Sequence, residues 1–211
     1  MCKLIAITNQ SLCHTDFLRQ IQCLCESGID EIILREKNLS EEAYEMLAKE
    51  VLAICNTYGV TCTLHTVLSV AKRLQVNRIH LPLPVAMEKA KEELKTIKTI
   101  GCSIHSLEEL TLVEEIERNI KETQRKEIDF YVTAGHIFAT DCKAGVPPRG
   151  IEFLKSICQQ SKYPVYAIGG ITEHNVRQML NTGSAGACVM SFAMQATKEE
   201  LIILKQKMKY E

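Results

Sequence analysis

The sequence predicts a single (β/α)₈ barrel, and three observations carry that prediction. Short β-prone apolar runs alternate with longer helical patterns from one end to the other, the mark of βαβ units on a parallel sheet. Eight such runs fit into 211 residues, close to the shortest chain that completes this barrel. No low-complexity linker or shift in composition divides the chain, so residues 1–211 are expected to form one domain.

The expected strands are residues 4–8, 31–35, 60–65, 78–82, 99–103, 130–134, 165–169 and 187–191, of which the fourth, sixth and eighth are short or interrupted. Between them, residues 40–58 show helical periodicity, with Ser40 placed to cap and Leu47, Val51 and Ile54 on one face. Residues 106–118 begin in the same way, with Ser106 followed three positions later by Glu109 as in a capping box. A further helix is expected over 172–181, after a Gly pair. An open, doubly wound sheet also fits the alternation. Eight units in so few residues favour the closed barrel.

Hydrophobic residues make up 46% of the chain and charged residues 24%, a balance suited to burying a core. With 25 basic and 26 acidic side chains the net charge is -1, so no overall field attracts nucleic acid, and a small anion would need local cations. No run approaches the ~20 apolar residues of a membrane span. The N-terminal residues enter a strand-like run without a signal-peptide pattern, and a cytoplasmic location is expected. The ten cysteines include no C-x-x-C pair and are read as free thiols in a reducing compartment.

In a (β/α)₈ barrel the chemistry sits where strands run into the following loops. Arg35 and Lys37 fall at alternate positions after the second run, where they could grip a phosphate or form a solvated loop. Ser103 and His105 end the fifth run. The sixth is followed by His136, Thr140 and Lys143, and His136 stands out because it follows a glycine that relieves backbone crowding. His65, His105 and His136 converge on one rim, but the carboxylates or tight spacing of a metal site do not accompany them, and no metal ligands are assigned. Gly169 and Gly170 end the seventh run, where backbone N–H groups can approach an anion closely, and Ser191 ends the eighth. Phosphate sites in these barrels are often built from the loops after strands seven and eight.

Five strings, LREK at 34–37, SIHSLEE at 103–109, TDCKAG at 140–145, AIGGIT at 167–172 and ACVMS at 187–191, together resemble the thiamine phosphate synthase superfamily over essentially the whole chain. The resemblance implies a (β/α)₈ barrel acting on a small phosphorylated thiazole, and a homo-oligomer. The synthase branch joins hydroxymethylpyrimidine pyrophosphate to thiazole phosphate with magnesium. Its pattern has Asn-Asp after the third strand and Asp after the fourth, where this chain has His65-Thr66 and the loop after Leu81-Pro82-Leu83-Pro84. Magnesium takes hard oxygen ligands, so the missing acids argue against that branch.

GHIF at 135–138 and the TDCKAG loop are more similar to the TenI-like branch, the thiazole tautomerases. That resemblance implies an isomerase without cofactor, in which His136 is the acid/base that aromatises a 2-carboxy-dihydrothiazole ethyl phosphate. One proton leaves ring carbon C2 and another reaches the exocyclic carbon, work suited to a group with pKa near ~6.5. Gly169, Gly170 and Ser191 would hold the phosphate, and Lys37 or Arg35 the carboxylate. Cys188, Met190 and Phe192-Ala193-Met194 depart from the family's usual string. The alternatives are the synthase, with magnesium recruited through other groups, and a non-catalytic thiazole phosphate-binding regulator. No helix-turn-helix or basic stripe supports direct DNA reading.

Overall fold

A computed structural model describes residues 2–90, 94, 96–125 and 127–209. Eight parallel strands close on themselves in chain order: β1 (Lys3–Ile7), β2 (Glu31–Leu34), β3 (Thr61–His65), β4 (Arg78–Pro82), β5 (Thr99–Ile104), β6 (Asp129–Gly135), β7 (Val165–Ile168) and β8 (Gly186–Val189). Closure is made by β1 against β8, in register from Lys3 opposite Gly186 to Ala6 opposite Val189. The helices between them are α1 (Phe17–Glu26), α2 (Glu41–Tyr58), α3 (Leu68–Arg73), α4 (Leu83–Lys89), α5 (Leu107–Gln124), α6 (Gly150–Gln160) and α7 (Arg177–Leu180), and α8 (Ser191–Gln195) and α9 (Lys198–Lys207) follow the last strand. Among the described residues, no helix is long and apolar enough to cross a membrane.

The expected (β/α)₈ barrel is therefore the observed one, and three local expectations are revised. The buried face of α2 is Tyr44, Ala48, Val51 and Cys55, and Leu47 and Ile54 flank it. The phenol of Tyr44 turns the face, because its hydroxyl donates to the Leu34 carbonyl at 2.7 Å and accepts from the His65 amide at 3.0 Å. After β7 the chain first makes an Asx-stabilised turn, in which Thr172 donates its amide to Asn175 Oδ1 at 2.9 Å, and α7 begins only at Arg177. Ser191 opens α8 instead of ending β8.

Period-two alternation sorts the strand side chains into two cores. One set, such as Leu4, Ile32, Leu64, Ile79 and Val132, packs outward under the helices. The other fills the barrel, with Ile5, Ile7, Ile33, Tyr131, Tyr166 and Cys188 forming a separate apolar cluster. Polar layers flank that cluster. At the end where the strands begin, Arg78 Nη2 meets both carboxylate oxygens of Glu31 at 3.1 and 3.2 Å and Nη1 donates to Thr99 at 3.0 Å. Towards the other end lie His65, His80, Ser103 and Thr133.

Candidate active site at the barrel mouth

A cavity of about 520 Å³ opens where β5, β6, β7 and β8 run into their loops. Eight of the residues singled out from sequence line it: Ser103, His105, His136, Thr140, Lys143, Gly169, Gly170 and Ser191. Arg35 and Lys37 do not line it. They stand at its edge, where Arg35 Nη1 lies 3.9 Å from the Met190 sulfur and Met190 itself is a lining residue.

Three glycines let the β6 and β7 loops meet. A Cβ on Gly135 would lie 2.3 Å from the Ile168 carbonyl oxygen, one on Gly169 2.2 Å from His136 Cβ, and one on Gly170 2.3 Å from the Ala139 carbonyl oxygen. Gly169 and Gly170 also have φ of +101° and +65°, values that favour glycine. The close approach is fixed by backbone bonds from Ile137 to Ile168 at 2.9 Å and from Phe138 to Gly169 at 3.0 Å. His136, joined to Gly135 by a cis peptide bond, is buried in this seam, with Nε2 3.2 Å from the Val146 carbonyl. His105 faces the same cavity, but Glu109 occupies it, accepting from its backbone amide and lying 3.2 Å from Nδ1. The expected capping box is thus half made: Ser106 accepts the Glu109 amide, while the Glu109 carboxylate turns to His105.

Positive charge gathers on one side. The Lys37 ammonium is held below its ordinary pKa first by the Arg35 charge, then by burial and by Lys143. Arg35 is half-buried, and burial pulls its pKa down despite Glu36. The Glu36 carboxylate is turned away to the Gln10 amide, at 3.0 and 3.1 Å. Among the described residues, no carboxylate forms an ion pair with Arg35, Lys37 or Lys143. Lys37, repelled by both Arg35 and Lys143 beside a glycine-lined cavity, is in an arrangement that an anion relieves.

The structure adds residues that the sequence did not mark: Thr133, which lines the cavity, and His80 and Tyr131 beneath its floor. His80 Nε2 lies 2.8 Å from Ser103 Oγ and Nδ1 3.1 Å from the Tyr131 hydroxyl. His65 stacks on His80, ring centroids 5.6 Å apart, and Nδ1 of His65 meets the Thr66 hydroxyl at 2.7 Å. A histidine inside an apolar strand run, as in Arg78-Ile79-His80-Leu81, was the available signal.

Burial pushes the His65 pKa down to about 2, helped by the charges of His80, Arg35 and Lys37, and the His80 pKa down to about 3, helped by Arg35. Both rings fold neutral. Their ordinary value is 6.5, so below it the unfolded chain binds more protons than the folded one, and stability falls as pH falls. Lowering pH from about 7 to about 5.5 is expected to remove roughly 2–3 kcal/mol of unfolding free energy. Urea melts at the two pH values measure it, and identical midpoints would show that the rings titrate normally.

Among the described residues, no three His, Cys, Asp or Glu side chains come together as a possible metal site. At the third strand end, His65 and Thr66 are occupied with each other. Among the described residues, the donors at this strand end therefore do not match the hard oxygen set that magnesium takes.

A family model described as thiamine monophosphate synthase matches residues 4–193. The chain belongs to that family. It is 33% identical over 183 residues to thiamine-phosphate synthase 2 of Streptococcus pneumoniae, covering 85% of this chain and 81% of the relative. It is 34% identical over 194 residues to the thiamine-phosphate synthase of Pyrococcus horikoshii, covering 91% and 86%. Among solved structures it is similar to thiamine phosphate pyrophosphorylase from Pyrococcus furiosus, with a TM-score of 0.81, 27% identity, and 98% and 95% of the two chains covered.

These names correct the expectation of a tautomerase. Family relatives at this identity are named as synthases, which are transferases and not isomerases. The GHIF string, on which the isomerase expectation rested, has a packing reason of its own: it is the strip of β6 loop that docks on Gly169 and Gly170. The missing acids weighed too heavily against the synthase branch.

Proposed function

We propose that the chain is a transferase that joins hydroxymethylpyrimidine pyrophosphate to thiazole phosphate at the barrel mouth, releasing pyrophosphate and forming thiamine phosphate. The thiazole ring nitrogen attacks the methylene carbon of the pyrimidine, the carbon–oxygen bond to pyrophosphate breaks, and the electron pair leaves with that oxygen. Positive groups fixed beside the departing oxygens stabilise the charge as it develops.

The observation that carries this reading is the cluster of Arg35, Lys37 and Lys143, of which Lys143 lines the cavity and Arg35 reaches its Met190 edge. A lone phosphate monoester needs fewer cations; a leaving pyrophosphate plus a phosphate matches three cations and a glycine-lined cup. Gly169, Gly170 and Ser191 would receive the thiazole phosphate, and the cations the pyrophosphate. Ser103, Thr140, His105 and His136 would wall the reacting rings.

Arg35→Met, Lys37→Met and Lys143→Met are each expected to lower kcat/KM by about 10- to 100-fold, with added salt weakening the wild-type enzyme in the same direction. Steady-state assays of thiamine phosphate formation check this. Unchanged kinetics in all three variants would remove the trio from the site.

A further inference from the structure

Ser103 is held by two hydrogen bonds that fix where its own proton points. Thr133 Oγ1 donates to Ser103 Oγ at 3.1 Å, and His80 Nε2 lies 2.8 Å from the same oxygen. The other ring nitrogen of His80 meets the Tyr131 hydroxyl at 3.1 Å. A neutral imidazole carries one N–H, so two arrangements exist. If Nδ1 held the proton, it would donate to Tyr131, and the phenolic O–H would be left to the apolar cluster of Ile5, Ile33, Tyr166 and Cys188, where among the described residues it makes no other hydrogen bond. A buried donor without a partner keeps the full cost of leaving water. If Nε2 holds it, Tyr131 donates to Nδ1, Nε2–H donates to Ser103, and every buried donor in the chain is used.

Two further features fit a network that is built and not incidental. Gly101 sits on β5 where the rings of His80 and Tyr131 meet; a Cβ there would lie 2.1 Å from Tyr131 Cζ and 2.4 Å from His80 Nδ1. Burial holds His80 neutral and raises the Tyr131 pKa well above its ordinary value, so neither end of the chain of bonds changes charge near neutral pH.

We propose that His80 is a positioning residue: held by Tyr131 as the Nε2–H tautomer, it and Thr133 fill both lone pairs of Ser103, which leaves the Ser103 hydroxyl as an obligatory donor into the cavity. The substrate must then present an acceptor, a ring nitrogen or an anionic oxygen, at that point of the floor. A ligand offering a donor there meets a hydroxyl with no free lone pair, which makes His80 a determinant of specificity although it never touches the substrate. The proposal rests on reading this cavity as the reaction site.

Nitrogen-15 NMR of the wild-type protein labelled at histidine reads the tautomer directly, without substrate. The His80 ring is expected to show a protonated Nε2 and a bare Nδ1 that do not change between about pH 5 and 8; a protonated Nδ1 overturns the proposal. A double-mutant cycle in kcat/KM for thiamine phosphate formation reads the coupling. His80→Phe and Ser103→Ala are each expected to lose about tenfold, while His80→Phe in the Ser103→Ala background costs less than about twofold. His80→Gln, whose side-chain amide can still donate, is expected to recover most of the loss. Equal costs of His80→Phe in both backgrounds overturn the proposal, and so does a His80→Gln protein that folds yet is as impaired as His80→Phe. A wild-type protein with no turnover but a protonated Nε2 contradicts the assigned reaction and upholds the tautomer.

Discussion

Replacing Glu31 with alanine is expected to lower the unfolding free energy by about 3 kcal/mol, the lower end for a buried pair, because it leaves the Arg78 guanidinium, whose side chain is 27% exposed, without its charge partner. Glu31 is only 3% exposed. Its carboxylate takes both Arg78 contacts and the Thr63 hydroxyl at 2.5 Å. In water each of these groups is solvated, and in the barrel they replace water for one another, so the pair adds little by itself while the loss of one member is severe. For a domain of this size the melting temperature would drop by roughly 10 °C. The double substitution Glu31→Met with Arg78→Met is expected to recover most of that, since apolar side chains of similar bulk remove both charges together. Thermal melts of the three proteins measure it. A single variant as stable as wild type would mean that Arg78 finds solvent or another partner.

The second large effect is expected at the seam between β6 and β7. Gly169→Ala places a methyl group 2.2 Å from His136 Cβ and 2.7 Å from His136 Cα, at a backbone φ of +101°. Neither side is the free end of a flexible side chain, so the loops must separate. The Gly169 carbonyl, which accepts from Phe138 at 3.0 Å, moves with them. A displacement of about 1 Å in the groups that position substrate lowers turnover by about 100-fold. Stability should fall by a few kcal/mol as well, and measuring kcat well below the variant's melting range separates the two. Activity within about threefold of wild type would show that the seam does not position the substrate.

Much of this was legible in the sequence because local signals agreed with the fold. Each of the eight apolar runs is a strand, and Ser40 and Ser106 cap helices by accepting the amide three residues on. The rule that strand ends carry the chemistry brought Ser103, His136, Lys143 and the glycine pair to one cavity. It could not separate residues lining that cavity from Arg35 and Lys37, because the cavity lies over β5 to β8 and not over β2. The inward layers were harder to read. Glu31, Arg78 and His80 look like ordinary strand polar residues until pairing sets β2, β3, β4 and β5 side by side, and Gly101 gains its meaning only from two rings on neighbouring strands. The 172–181 segment misled in another way: Asn175 caps a turn first and delays the helix to Arg177.

The GHIF string docks closely against the glycine pair, which is a packing reason for glycine at 135, 169 and 170 that involves no chemistry. Relatives matched over most of their length speak to the reaction more directly than four residues do.

The most direct test of the account incubates the purified protein with thiazole phosphate and the magnesium salt of hydroxymethylpyrimidine pyrophosphate, and follows both products by chromatography. The account predicts thiamine phosphate and pyrophosphate appearing in equal amounts, at a rate that Arg35→Met sharply reduces. A folded protein that forms neither product above the rate without enzyme would contradict it.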